Sequence, residues 1–202
     1  AFAGQQSFGA VTWSGDVNGD WSSFRKQLAA GLNFTMSGIP YWTTDIGGFF
    51  RNAMFAPYDL PHAEKQYNSK EYRELLIRWF QFGTFCPIQR IHGYQSDTEI
   101  WRFGNEVESI LIDHINLRYR LLPYIYSTAW KVTDENYSLM RGLPADFPEQ
   151  NNILDVSDQY MFGPSLMICP VTKPKISERE VILPELKGGW YDFYNYKWYA
   201  GG

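Results

Sequence analysis

Phe8-Gly9-Ala10-Val11-Thr12-Trp13-Ser14-Gly15-Asp16 is the stretch on which the fold turns, an apolar run that ends in an aromatic ring and a carboxylate. Residues 8–12 read as a buried strand and a helix follows from near Asp20. Asp16 then sits at the C-terminal end of a strand, where barrel enzymes hold catalytic groups because the loops there are free to vary. The helix is predicted over 20–34, with Trp21, Phe24, Leu28 and Leu32 three or four apart and Asp20 as N-cap.

The pattern then repeats. Residues 39–43 form a second short apolar run, closed by Asp45-Ile46-Gly47-Gly48, again a strand and a loop carrying a carboxylate. Residues 50–68 have no period and contain Asn52, Pro57, Pro61 and Asn68, so they read as a long loop over the site. Ser69 caps a second helix with Tyr72, Leu75, Leu76, Trp79 and Phe80 on its buried face, and Gly83 lies where a C-terminal cap is expected. A third strand over 87–92 ends in Arg90-Ile91-His92-Gly93, and a long helix over 105–130 carries Pro123 as a kink.

After residue 136 the helical periods give way to short apolar runs, 160–167, 168–171, 180–183 and 189–194, separated by Pro164, Pro170, Pro174, Pro184 and Gly188. That texture predicts antiparallel strands and a boundary near residue 137. The fold class is therefore α/β. Residues 1–137 match about three units of a (β/α)8 barrel, which needs ~250 residues whole, and residues 138–202 match the start of a β-sandwich.

With 45% hydrophobic residues among 202, the chain can bury a core. A formal charge of −4 without any basic run argues against nucleic acid and an anionic membrane surface as partners and favours a neutral ligand. Aromatic residues reach 18%, and flat rings stack on the apolar faces of sugars, although a ring-rich core accounts for most of them. Cys86 and Cys169 have no CxxC spacing and read as buried free thiols, so no metal site is expected.

Three strand ends thus deliver Asp16, Asp45 and the pair Arg90 and His92 to one face, since parallel barrel strands direct their C-terminal ends to the same side. Each has a plainer reading. Asp16 and Asp45 can be turn or capping residues, Arg90 a neutralising neighbour, Trp13 and Trp42 core aromatics, and Trp101 an anchor for the long helix. His114 reads as a satisfied core or interface residue on an apolar helix face.

The motifs Trp13-Ser14-Gly15-Asp16, Ser37-Gly38-Ile39-Pro40-Tyr41-Trp42-Thr43-Thr44-Asp45-Ile46-Gly47-Gly48-Phe49, Arg90-Ile91-His92-Gly93 and Glu99-Ile100-Trp101-Arg102-Phe103 resemble, in order and spacing, glycoside hydrolase family 31. The similarity continues through Leu121-Leu122-Pro123-Tyr124-Ile125-Tyr126, Tyr160-Met161-Phe162-Gly163-Pro164 and Gly189-Trp190-Tyr191-Asp192-Phe193. The resemblance implies a retaining α-glycosidase, a (β/α)8 barrel followed by β-sandwich domains, an oligosaccharide substrate and no cofactor. It implies Asp16 as the general acid/base, with Trp13 lining the sugar subsite beside it. Asp45 and Phe49 then hold the −1 sugar subsite, His92 bonds sugar hydroxyls, and Arg90 tunes the carboxylates.

Retaining hydrolysis needs two carboxyl groups about 5–5.5 Å apart. The family's nucleophile aspartate follows a tryptophan and precedes Met-Asn-Glu on an earlier strand, and no such motif occurs here. The chain alone is therefore expected to be inert and to partner an upstream half of the same catalytic domain. The Tyr41 to Gly48 motif and the loop after it resemble bacterial xyloglucan-active members, which points to an α-xylosidase. An α-glucosidase and a non-catalytic carbohydrate-binding module are the alternatives, with residues 138–202 as a structural β domain.

Overall fold

Asp20 starts the first helix by accepting the Ser23 N–H at 2.7 Å, which satisfies one of the amides that a helix start leaves unpaired. The computed structural model describes residues 1–51, 65–94 and 96–202, and carries this helix, α1, over Trp21–Met36. It connects β1 (Thr12–Trp13) to β2 (Trp42–Thr43), which pair in parallel with Thr12 opposite Trp42. Parallel strands joined through a helix make a βαβ unit.

A short helix α2 (Lys65–Asn68) precedes α3 (Lys70–Gly83), whose N-cap Ser69 accepts the Tyr72 N–H. The chain then returns to the sheet, where Ile91 bridges Ile46 in parallel and the Ile46 N–H donates to the Arg90 carbonyl at 3.2 Å. A 3-10 turn (Ile100–Phe103), α4 (Asn105–Arg120) and α5 (Leu122–Asp134) follow. Phe24, Leu28 and Leu32 of α1 and Tyr72, Leu75, Leu76 and Trp79 of α3 close over Trp42 and Ile46. The Phe24 ring stacks on Trp79 with centroids 5.1 Å apart.

Beyond α5 the pairing becomes antiparallel. β3 (Met140–Gly142), β4 (Tyr160–Phe162) and β5 (Leu166–Ile168) form a sheet in that order, with α6 (Leu143–Asp146) after β3. β6 (Trp190–Tyr191) and β7 (Trp198–Tyr199) form a separate pair. Strand alternation makes β4 a partition: Tyr160 and Phe162 join the main core, and Met161 joins a smaller one with Leu143 and Ile153.

Several elements differ from expectation. The run over 8–12 is not a buried strand: Gln5–Phe8 is a 3-10 turn, Gly9 takes φ of 70°, and Phe8 is 80% exposed, so pairing begins only at Thr12. The third strand shrinks to the Ile91 bridge: the Ile88 N–H still donates to the Trp42 carbonyl of β2 at 3.3 Å, but the Pro87 carbonyl accepts from the Arg118 guanidinium, as do those of Thr84 and Cys86 before it. The long helix is two, broken at Leu121, with Pro123 in the first turn of α5 where a missing N–H is harmless.

Gly83 ends α3 without a left-handed cap; a Cβ there would come within 2.3 Å of Ile46 Cδ1, so the glycine admits the sheet. The loop expected over 50–68 ends in helix α2, and its residues 52–64 lie outside the described part. Residues 160–167 are a hairpin turning at Gly163 (φ 63°), not one strand. Residues 180–183 pair with no strand, because the Gln159 side-chain amide accepts the Ile182 N–H and donates to the Ile182 carbonyl. Trp101, expected to anchor the long helix, is 63% exposed; Phe103, two residues on, is the buried ring there.

Candidate active site

The parallel pairing sets Trp13 beside Thr43 and carries the chain two residues further to Asp45, which is fully buried. Its Oδ1 accepts the Trp13 indole N–H at 2.9 Å and the Arg90 guanidinium, so residues from three successive strand ends meet at one oxygen. Arg90 also lies over the Trp13 ring, 5.5 Å from its centroid. The second oxygen, Oδ2, is buried with no partner among the described residues. Burial pushes the Asp45 carboxyl up, and Arg90, the Trp13 N–H and the charge of His92 draw it back only partly.

The turn after Asp45 folds tightly. The Gly48 N–H returns to the Asp45 carbonyl at 2.8 Å, and Gly48 adopts φ of +86° with Gly19 packed where a side chain would stand. Beyond it, Phe50 exchanges backbone bonds with Val17 and Gly19, which ties this loop to the one carrying Asp16. Phe49 is half-buried and its ring faces His92 at 5.3 Å and Tyr94 at 5.6 Å.

Asp16 differs from Asp45 in every respect. It is exposed, follows Gly15 in the left-handed region, and has no hydrogen-bond or ion-pair partner among the described residues. It caps nothing, because Asp20 holds that position. Trp13, three positions earlier, is 43% exposed, so a partly exposed aromatic ring and an exposed carboxyl both follow from the end of β1. Trp42, by contrast, is wholly buried and belongs to the core.

The structure thus gathers Trp13, Asp45 and Arg90 in direct contact and Phe49 with His92. Arg51, only 1% exposed, was not singled out from the sequence, where one arginine in an aperiodic stretch carries no signal. His114 is half-buried and its Nδ1 lies 2.8 Å from the Ile110 carbonyl, as for a satisfied helix histidine. Cys86 is buried and Cys169 half-buried, both free, and burial pushes the Cys169 thiol up to about 11. Among the described residues, no group of three His, Cys, Asp or Glu side chains can hold a metal, and no helix is long and apolar enough to cross a membrane.

The family profile described as the glycosyl hydrolases family 31 TIM-barrel domain matches residues 1–128, and the family 31 C-terminal domain matches residues 136–202. An "Alpha-xylosidase" of Saccharolobus solfataricus is 50% identical over 202 residues, covering 100% of the chain and 26% of that protein. A human "Neutral alpha-glucosidase C" is 34% identical over 203 residues, covering 100% of the chain and 20% of its own length. The crystal structure of a GH31 alpha-xylosidase from a soil metagenome, complexed with xylose, superposes with a TM-score of 0.87 at 38% identity, covering 100% of the chain and 31% of its own. The chain thus spans 26% and 20% of the lengths of these two curated relatives.

Proposed function

The chain belongs to glycoside hydrolase family 31, and from that membership we propose that it forms part of a retaining α-glycosidase acting on terminal α-xylosyl residues of an oligosaccharide. Residues 1–137 supply the last three or so units of the (β/α)8 barrel and residues 138–202 the start of a β-sandwich. The parallel contacts among the first three extended segments and the antiparallel sheets after β3 support that division.

The observation that carries the chemistry is the contrast between the two aspartates. Asp16, exposed and without a partner among the described residues, is placed to meet a glycosidic oxygen, protonate the departing sugar and then take a proton from the attacking water. Asp45, fully buried and held at Oδ1 by Arg90 and Trp13, serves as a fixed binding group and is not the nucleophile. Its Oδ2, buried and without a partner among the described residues, is the acceptor left for a sugar hydroxyl, with His92 and Phe49 closing the −1 subsite and Arg90 holding the carboxylate in place. Trp13 lines the same subsite. The nucleophile comes from an upstream half of the domain, within about 5–5.5 Å of Asp16.

The similarity to alpha-xylosidases supports xylose over glucose, and the similarity to neutral alpha-glucosidases keeps glucose as the alternative. The test is hydrolysis of a xylosyl disaccharide by the intact enzyme that carries this chain. The released sugar keeps its α configuration, and the xyloside is preferred over the glucoside by about 10- to 200-fold. Asp16→Ala lowers kcat/KM by about 10²–10⁴-fold but largely spares xylosyl fluoride, whose leaving group needs no proton. Inversion of configuration, or an unimpaired Asp16→Ala enzyme, rules the reading out.

A further inference from the structure

Arg51 is one of the largest fully buried side chains, and it forms no ion pair with a described residue. A buried cation normally has a carboxylate beside it. Among the described residues, backbone carbonyls take that place. Nε donates to the Gly48 carbonyl at 3.2 Å, Nη1 to that of Asp97 at 3.2 Å, and Nη2 to that of His92 at 3.3 Å. One rigid guanidinium therefore joins three pieces of backbone, one in its own turn and two, at His92 and Asp97, lying 41 and 46 positions downstream.

Two of those pieces carry the sugar pocket proposed above. Gly48 lies between Asp45 and Phe49, and His92 is the residue whose ring faces Phe49. The Tyr94 N–H adds a bond to the Phe49 carbonyl at 2.9 Å, and the Tyr67 hydroxyl donates to the same Asp97 carbonyl that Arg51 uses. The backbone leaves room for this fork. A Cβ on Gly93 would stand 2.7 Å from Arg51 Nε, so a side chain there displaces the guanidinium.

We propose that Arg51 is a positioning residue that fixes the spacing between His92 and the Asp45 to Phe49 turn, and so sets how well the pocket grips the sugar in the transition state. It touches no substrate and acts through His92, by holding that ring in register with the turn that carries Phe49. The proposal rests on the glycosidase reading. Lysine at this position keeps the charge and offers three donors from one nitrogen, but cannot span three separate carbonyls as a planar fork does.

The test is kinetic, on the intact enzyme with an aryl α-xyloside. Arg51→Lys lowers kcat/KM by about 10- to 100-fold, the cost of a displacement near 1 Å in a positioned group. Gly93→Ala, which keeps the arginine and pushes it aside, gives a loss of the same kind. The discriminating readout is a double-mutant cycle: in a His92→Ala background, Arg51→Lys costs less than threefold, because the group it positions is gone. A role in stability alone gives full, additive losses in both backgrounds and overturns the inference. So does unimpaired catalysis by folded Arg51→Lys and Gly93→Ala enzymes, folding being read by circular dichroism. A wild-type enzyme without activity on any α-glycoside overturns the glycosidase reading and this inference with it.

Discussion

At the level of single residues, Asp45 is where burial and charge oppose each other most directly. Its carboxyl is fully buried, and the Arg90 guanidinium that compensates it is 39% exposed on its side chain. A carboxyl whose pKa is raised by folding stabilises the protein while protonated, and that contribution is lost as pH rises through the folded-state value. Arg90→Met removes the strongest pull downward and moves that value further up. At pH 7 the variant should lose about 2 kcal/mol of unfolding free energy, less than the 3–5 kcal/mol of a fully buried broken pair because water already screens Arg90. Near pH 4 the loss should shrink as Asp45 takes up a proton. Chemical denaturation at both pH values checks this, and equal losses would refute it. In the sequence, Asp16 and Asp45 look like equivalent strand-end carboxylates; their opposite environments come from Trp13 and Arg90, which lie 32 and 45 positions from Asp45.

At the level of elements, the last turn of α3 is pressed against the strand that leads to the site. Ala at position 83 gains about 1 kcal/mol in helix propensity. It also forces a methyl into the Ile46 side chain, at a cost of about 1–3 kcal/mol for overpacking. The expected net effect of Gly83→Ala is destabilisation together with reduced activity, since Ile46 adjoins Asp45. Adding Ile46→Val removes the clashing Cδ1 atom and should restore both, as measured by melting temperature and kcat/KM; no recovery in the double variant would show that the contact is not the cause. The helices α1 and α3 are legible because each repeats its period several times and begins at a capping side chain that acts within three residues. The strands are two or three residues long, too short for any alternation to register, and β3 has no apolar run to mark it. Their existence depends on partners elsewhere.

At the level of the whole molecule, two buried tyrosines tie the parts together. The Tyr72 hydroxyl donates to the Gly47 carbonyl and joins α3 to the Asp45 turn, while Tyr160 on β4 donates to the Phe85 carbonyl and joins the antiparallel sheet to the barrel segment. Burial pushes Tyr72 up to about 12 and Tyr160 well above its usual value. A raised tyrosine stabilises the fold below its unfolded pKa near 10 and loses that contribution as pH climbs towards 12. Ionisation of these rings, followed by absorbance at 295 nm, should therefore coincide with loss of circular dichroism between pH 10 and 12. Complete ionisation near pH 10 with the dichroism intact would contradict the packing. The linear order of motifs, the helix caps and the helical periods were sufficient to bring out the family and the α/β class, because those signals act over a few residues or survive as a pattern of identities. Which aspartate is buried and which is exposed, where a third strand gives way to a bridge, and the clip formed by Arg51 were decided only in three dimensions. Burial, desolvation and hydrogen-bond partnership belong to pairs of groups that folding brings together, and neither member carries them alone.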